Sequence, residues 1–247
     1  MPTAVNYALF VNFRSMQVQN LYIYQQLEQS YEFKTTNIKD YASRAFEFDG
    51  VDDYVYVENF EWNSGGPVTV ELWVKVNTTD IQENVTFCVG FQENPNRFQV
   101  HLPWSDRMLY WDYGNCSRTG GVEIDYTSYL DKWTHIALVS QGKGGRFKGI
   151  YLNGTLVASD NISDGPKIPL KKLIIGKWGD LYFKGKIDNF RIWNIVRSQE
   201  QICAYMNNRL QGNEPGLVGY WHLDNRLAKD YSHNRNHGTW NGKYCIV

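Results

Sequence analysis

Residues 182–196 read YFKGKIDNFRIWNIV. Val, Ile, Phe and Trp crowd this stretch, and from Ile187 to Trp193 successive side chains fall on opposite faces, the two-residue repeat of a β-strand. Phe190 and Ile192 serve the faces of that strand, and both faces need cover. Gly185 marks a bend just ahead of it. Asp188 sets a carboxylate among apolar and aromatic neighbours, where a charge is costly unless it is hydrogen-bonded, paired or bound to a cation. The sequence therefore demands a partner for Asp188.

The same signals recur outward from this strand. In residues 45–57, AFEFDGVDDYVYV, Phe46 and Phe48 share one face, a D-G-V-D-D turn follows, and Tyr54 and Tyr56 then oppose Val55 and Val57. The Asp-Gly pair predicts a hairpin, since Gly50 can take positive φ. In PVTVELWVKV, residues 67–76, Val68, Val70, Leu72, Val74 and Val76 occupy every second position, with Trp73 on the opposite face. Three short strands, TFCVGF, RFQVHLP and MLYWDYG, are separated by turn-forming ENPN and WSD. KWTHIALV at 132–139 is another strand, and FKGIYLNGTLVAS is a hairpin turning on Asn153-Gly154. SQEQICAYM is the one helical pattern, with Ser198 as N-cap and Gln201 at the capping-box position. Residues 1–43 carry strand-like ALFVNFRS and NLYIYQQ, either extra strands or an extension. The expected fold is all-β: one antiparallel two-sheet sandwich over 1–247, with one short helix near the C-terminus.

KIDNFRIWN followed by the polar helix SQEQICAYMNN resembles the closing strand and helix of the laminin-G-like, concanavalin A-like jelly-roll family, whose recurring ending is G-x-I-D-x-[VF]-R-I-[YW]-N. The segments at 45–57, 67–76 and 132–139 agree with that family in order and spacing, so the resemblance spans about residues 44–210. Residues 211–247 resemble the "YWxLDE...DxSGNxxHG" segment common beside such domains, an outer strand and a glycine-rich loop in which Asp230, His233 and His237 are chiefly structural. Pentraxins and many carbohydrate-binding lectin domains share the architecture, which alone does not choose among their activities. The resemblance implies an extracellular or cell-surface setting.

Composition narrows the partners. A formal net charge of −1 argues against nucleic acid, because phosphate binding needs a local excess of Lys and Arg. The most apolar runs are strand-length and carry Lys, Asp or Arg, so no membrane span is expected. MPTAVNYALFVNF lacks the basic start and unbroken apolar stretch of a signal peptide. Asn77, Asn84, Asn115, Asn153 and Asn161 each begin N-x-S/T, which hints at a secretory history or at mere loop polarity. Cys88, Cys116, Cys203 and Cys245 allow three pairings or none, and no zinc spacing occurs.

Three chemistries are weighed. The glycosidases of this sandwich carry E-x-D-x-x-E or E-x-D-x-E; Glu123-Ile124-Asp125 begins that motif, but Thr127 and Ser128 stand where the second Glu belongs, so no catalysis is expected. His135, inside KWTHIALV, reads as a packed strand residue. For calcium, the resemblance implies that an Asp on the closing strand meets the early hairpin, gathering Asp49, Gly50, Asp53 and Asp188; the alternative is that Asp188 caps backbone N–H groups and the other acids are solvated. For glycans, HLPWSDRMLYWDYGN and WGDLY bring aromatic rings and polar groups together near turns, as sugar C–H faces and hydroxyls require. The expectation is a non-catalytic, lectin-like module. Trp104 and Trp178 stack on the sugar, and Asp106, Arg107, Tyr113 and Asp180 complete the site. A protein-interaction or adhesion domain is the alternative, and self-association for avidity stays open.

Overall fold

The computed structural model describes residues 44–60, 65–83, 85–89, 96–114, 121–162, 165–167 and 171–242, all within the compact unit Thr36–Val247. The expected strands of residues 1–43, with Asn84, Asn115, Cys116 and Cys245, lie outside the described residues.

One sheet pairs β1 (Phe46–Asp49), β14 (Lys184–Trp193), β3 (Val68–Lys75), β8 (Thr134–Ser140), β9 (Lys148–Leu152) and β10 (Thr155–Asp160) in that order, with β15 (Leu217–Trp221) also on β14. This is the first sheet. The second runs β16 (Thr239–Asn241), β2 (Tyr54–Val57), β11 (Leu173–Ile175), β4 (Phe87–Val89), β5 (Arg97–His101), β6 (Met108–Gly114) and β7 (Gly121–Asp125). A small hairpin, β12 (Lys177–Trp178) with β13 (Leu181–Tyr182), stands apart. All the pairings are antiparallel, and the all-β sandwich is as the alternation predicts. Val68, Val70, Leu72 and Val74 meet Phe98, Val100, Leu109 and Trp111 in one buried cluster between the sheets. Each such side chain contributes about 1.5–3 kcal/mol by leaving water.

Strand β14 departs from strict alternation at one point. Asp188 pairs with Trp73 and Arg191 with Glu71, so three steps on β14 match two on β3, and the extra residue is a bulge at Asn189, whose φ is 51°. The bulge lets Asp188 and Arg191 both share the outer face with Trp73 and Glu71, while Ile187, Phe190 and Ile192 stay in the core.

The Asn153-Gly154 turn forms as expected, with φ of 49° and 79° at its two residues. The Asp49–Asp53 turn does not make a hairpin. Strand β1 pairs with β14 and β2 with β11 and β16, so the chain turns a corner from one sheet to the other. Only Gly50 takes positive φ there, whereas a tight two-residue hairpin of the Asn-Gly kind needs two such residues in succession.

Helix α1 (Gln199–Tyr205) covers the outer face of the first sheet and starts with the predicted capping box of Ser198 and Gln201. Beneath it Glu71 is fully buried, bonded to Arg197 and 3.6 Å from Arg191 and 3.5 Å from His135. The Arg197 guanidinium lies over the rings of Trp193 and Tyr205, and Arg191 donates to the carbonyls of Tyr205 and Asn208. Burial opposes ionisation of Glu71, but His135, Arg197 and Arg191 together hold its carboxyl at about 2. No helix among the described residues is long and apolar enough to cross a membrane.

Candidate functional site

The second sheet presents its outer face differently. Phe98 and Val100 of β5 point into the core, so alternation turns Arg97, Gln99 and His101 outward. Register sets Gln99 beside Asp112, His101 beside Tyr110 and Tyr110 beside Glu123, with Asp125 next to Met108. The Gln99 amide donates 3.0 Å to Asp112 Oδ2, and its nitrogen lies 2.7 Å from His101 Nε2. Arg97 reaches Asp112 at 3.3 Å, and although burial opposes it, the bonds from His101 and Gln99 with the Arg97 charge keep Asp112 below the usual carboxylate range.

Two tryptophans border this polar floor. Trp104 sits in the β5–β6 turn, which is closed by the bonds Trp104 N–H to Met108 O and Arg107 N–H to Trp104 O, both 2.8 Å. Its ring meets His101 edge-on at 4.5 Å. Trp178 is carried by the β12–β13 hairpin, which is tied to the same sheet by Cys88 Sγ donating to Lys177 O. Its ring lies 6.4 Å from His101 and 5.8 Å from the Arg97 guanidinium. Both tryptophans are partly exposed, and two aromatic rings from distant parts of the chain meet at one histidine. Asp106 and Arg107 are exposed in the Trp104 turn, where Asp106 accepts from Tyr110 Oη at 2.6 Å, and Asp180 is exposed at the tip of the Trp178 hairpin.

Tyr113 does not belong to this group. It sits on the core side of β6, fully buried, with its hydroxyl donating to Gly66 O at 3.1 Å. The neighbouring alternation explains this, since Leu109, Trp111 and Tyr113 share the inward face. Arg97, Gln99 and Asp112 were missed by reading the turns alone; the polar-apolar alternation of RFQVH carries the signal that finds them.

The expected calcium ligands divide into two places. Asp49 pairs with Lys184, four residues along β14 from Asp188, a separation of roughly 13 Å at about 3.3 Å per residue. The carboxylates of Asp49, Asp52 and Asp53 gather within 4.8 Å of one another. Asp49 accepts from the N–H groups of Val51 and Asp52, Asp53 Oδ2 accepts from Asp49 N–H, and the buried Asp53 Oδ1 has no hydrogen-bond partner. That donor set, three carboxylates with one buried oxygen unspent, fits a hard cation. Asp188 is instead buried on the outer face of the first sheet, where Oδ1 accepts from the Asn189 amide and Oδ2 has no hydrogen-bond partner. Burial, then the charge of Asp224, pushes its carboxyl up to about 7.

The other singled-out groups are structural. His135 is buried against Glu71, and Asp230 accepts from the N–H groups of Tyr220, Ser232 and Asn236. Cys88 is buried and Cys203 exposed, both unbridged.

A family model described as the concanavalin A-like lectin/glucanases superfamily matches residues 49–203. Pentraxin-related protein PTX3 of Bos taurus is 28% identical over 148 residues, which is 53% of this chain and 36% of that relative. The matched region thus spans about a third of the curated relative's length. A solved structure of a Bacteroides ovatus protein proposed to bind carbohydrate superposes with a TM-score of 0.61 at 21% identity, covering 83% of this chain and 60% of that one. The heptameric SAP-like pentraxin of Limulus polyphemus gives 0.51 at 16% identity, covering 76% of this chain and 95% of that one. These structural likenesses are likenesses of fold. The sequence match over most of the domain and the two packed antiparallel sheets lead to one conclusion: this chain belongs to the concanavalin A-like lectin/glucanases superfamily.

Proposed function

We propose that the outer face of the second sheet is a carbohydrate-binding site and that the domain acts as a non-catalytic, lectin-like module. The observation that supports this is the placement of Trp104 and Trp178, both partly exposed and both in ring contact with His101, beside hydrogen-bonded Arg97, Gln99 and Asp112. Aromatic faces stack on sugar C–H groups, and a few fixed polar groups orient the hydroxyls. In this reading Trp104 and Trp178 stack, and Asp106, Arg107 and Asp180 bond hydroxyls at the rim. Glycoside hydrolysis needs an acid whose pKa is raised, and Asp112 is shifted the other way.

Calcium is proposed at Asp49, Asp52 and Asp53, with Asp188 outside the set. A bound cation there would neutralise clustered acids and pin the corner between β1 and β2. It would stabilise the fold away from the sugar site.

A glycan array on the purified domain tests the reading. Binding that falls at least tenfold in Trp104→Ala and in Trp178→Ala supports it. No sugar bound, together with a stable protein complex, favours an adhesion domain instead. Calcium is checked by melting with and without the ion, where Asp53→Asn should abolish any upward shift and Asp188→Asn should preserve it.

A further inference from the structure

The corner acids Asp49, Asp52 and Asp53, on whose reading as a calcium site this inference rests, have a third neighbour besides β1 and β2. Strand β16 forms the edge of the second sheet and pairs with β2 at Thr239–Tyr56, Trp240–Val55 and Asn241–Tyr54, so the pairing ends beside Asp53. Residue 242 follows directly. It is a glycine with φ of 149°, and a Cβ there would collide with Asp53 Oδ1. That oxygen is the buried one with no hydrogen-bond partner, on a residue only 2% exposed, so the Gly242 backbone is part of what shuts Asp53 away from water. Further along the strand Trp240 packs on Phe46 of β1 at 3.9 Å and on Phe48 at 5.7 Å. The Arg226 guanidinium lies over Phe46 and Trp240 and its charge reaches Asp53, yet Oδ1 stays unbonded.

We infer that β16 and Gly242 form the cover of the calcium site, so that binding of the ion and pairing of β16 with β2 are coupled. A buried carboxylate oxygen left unpaired is costly, and a hard cation held by carboxylates removes that cost. A three-residue edge strand has few hydrogen bonds to lose and can open without the rest of the sheet. Its opening draws Gly242 off Asp53 and admits water to the acids, which weakens their hold on the ion. Coupling is reciprocal, so bound calcium holds β16 shut to the same extent. Without calcium the strand opens more often and bares the edge of β2.

Hydrogen exchange on the calcium-stripped and the calcium-loaded protein tests the coupling. Without the ion, the amides of 239–241 should exchange faster than those of β3. With calcium at about 100 times its dissociation constant they should slow by roughly tenfold or more, the ceiling being about hundredfold, because each opening then competes with binding. Strand β10, at the opposite end of the first sheet from β1, should keep its rate. Asp53→Asn should leave 239–241 indifferent to calcium, and Gly242→Ala should weaken calcium binding by at least roughly tenfold in titration calorimetry. If Gly242→Ala does not fold, exchange in the wild type decides alone. Calcium that raises the melting temperature yet leaves 239–241 unmoved, or exchange there as slow as in β3 without the ion, overturns the coupling and leaves the calcium reading intact. Unchanged calcium affinity in a folded Gly242→Ala variant overturns it as well. Calcium that alters neither melting nor exchange removes both.

Discussion

Glu71 and Asp112 are both carboxylates buried on the outer face of a sheet, yet they sit in opposite circumstances. Glu71 lies under helix α1 with Arg197, Arg191 and His135 gathered on it, and each arginine also donates to a carbonyl of the helix. Asp112 lies under no helix among the described residues, and its neighbours Gln99, His101 and Arg97 lead outward to two partly exposed tryptophans. The first arrangement uses charge to fasten one element onto another. The second uses it to hold a polar floor in place below a surface that remains available. Burial of a charge thus means different things according to what covers it: a helix over Glu71, and partly exposed aromatic rings near Asp112.

Breaking the closed face should have the largest effect. Glu71→Ala leaves two guanidiniums buried without their carboxylate, so a stability loss of about 3–5 kcal/mol is expected in chemical denaturation. Sugar binding by the folded fraction should be unaffected.

Asp188 sharpens the contrast through pH. Its carboxyl titrates near 7 in the folded protein and near 3.8 in the unfolded chain, so its contribution to stability is complete below 3.8 and is lost as pH rises through about 7. Glu71 has the opposite sign, its contribution being present above 4.5 and lost as pH falls through about 2. His222, lowered to about 3 chiefly by burial, also loses stability on acidification, so the wild-type curve alone mixes these effects. The difference between wild type and Asp188→Asn isolates the first: the variant should gain roughly 2–4 kcal/mol relative to wild type between pH 4 and 8, measured by denaturant melts across that range.

On the open face the expected effects are smaller for stability and larger for binding. Trp104→Ala and Trp178→Ala should each cost at least tenfold in affinity, about 1.4 kcal/mol, while shifting the melting temperature far less than Glu71→Ala does. Smallest of all, Tyr113→Phe should lose about 1 kcal/mol of stability with its bond to Gly66 and leave affinity alone, as its buried position requires.

Much of this architecture was legible because strand periodicity and turn chemistry are local. The capping box at Ser198 and Gln201 and the Asn153-Gly154 turn follow from a few adjacent residues. The site was legible only in part. Turn context picked out Trp104 and Trp178, but their convergence on His101 depends on a hairpin seventy-odd residues away folding back over β5. Tyr113 was misplaced because composition near a turn outweighed the parity of its strand. The corner at Asp49–Asp53 was misread because an Asp-Gly pair signals a turn without saying whether the two strands stay in one sheet.

Hydrogen exchange with and without the tightest-binding neutral sugar tests the central contrast most directly. The account predicts slowed exchange in 97–101, 104–112 and 177–182, with 69–75, 134–140 and 191–197 unchanged. Protection confined to the helix-covered face, or spread equally over both, would contradict it.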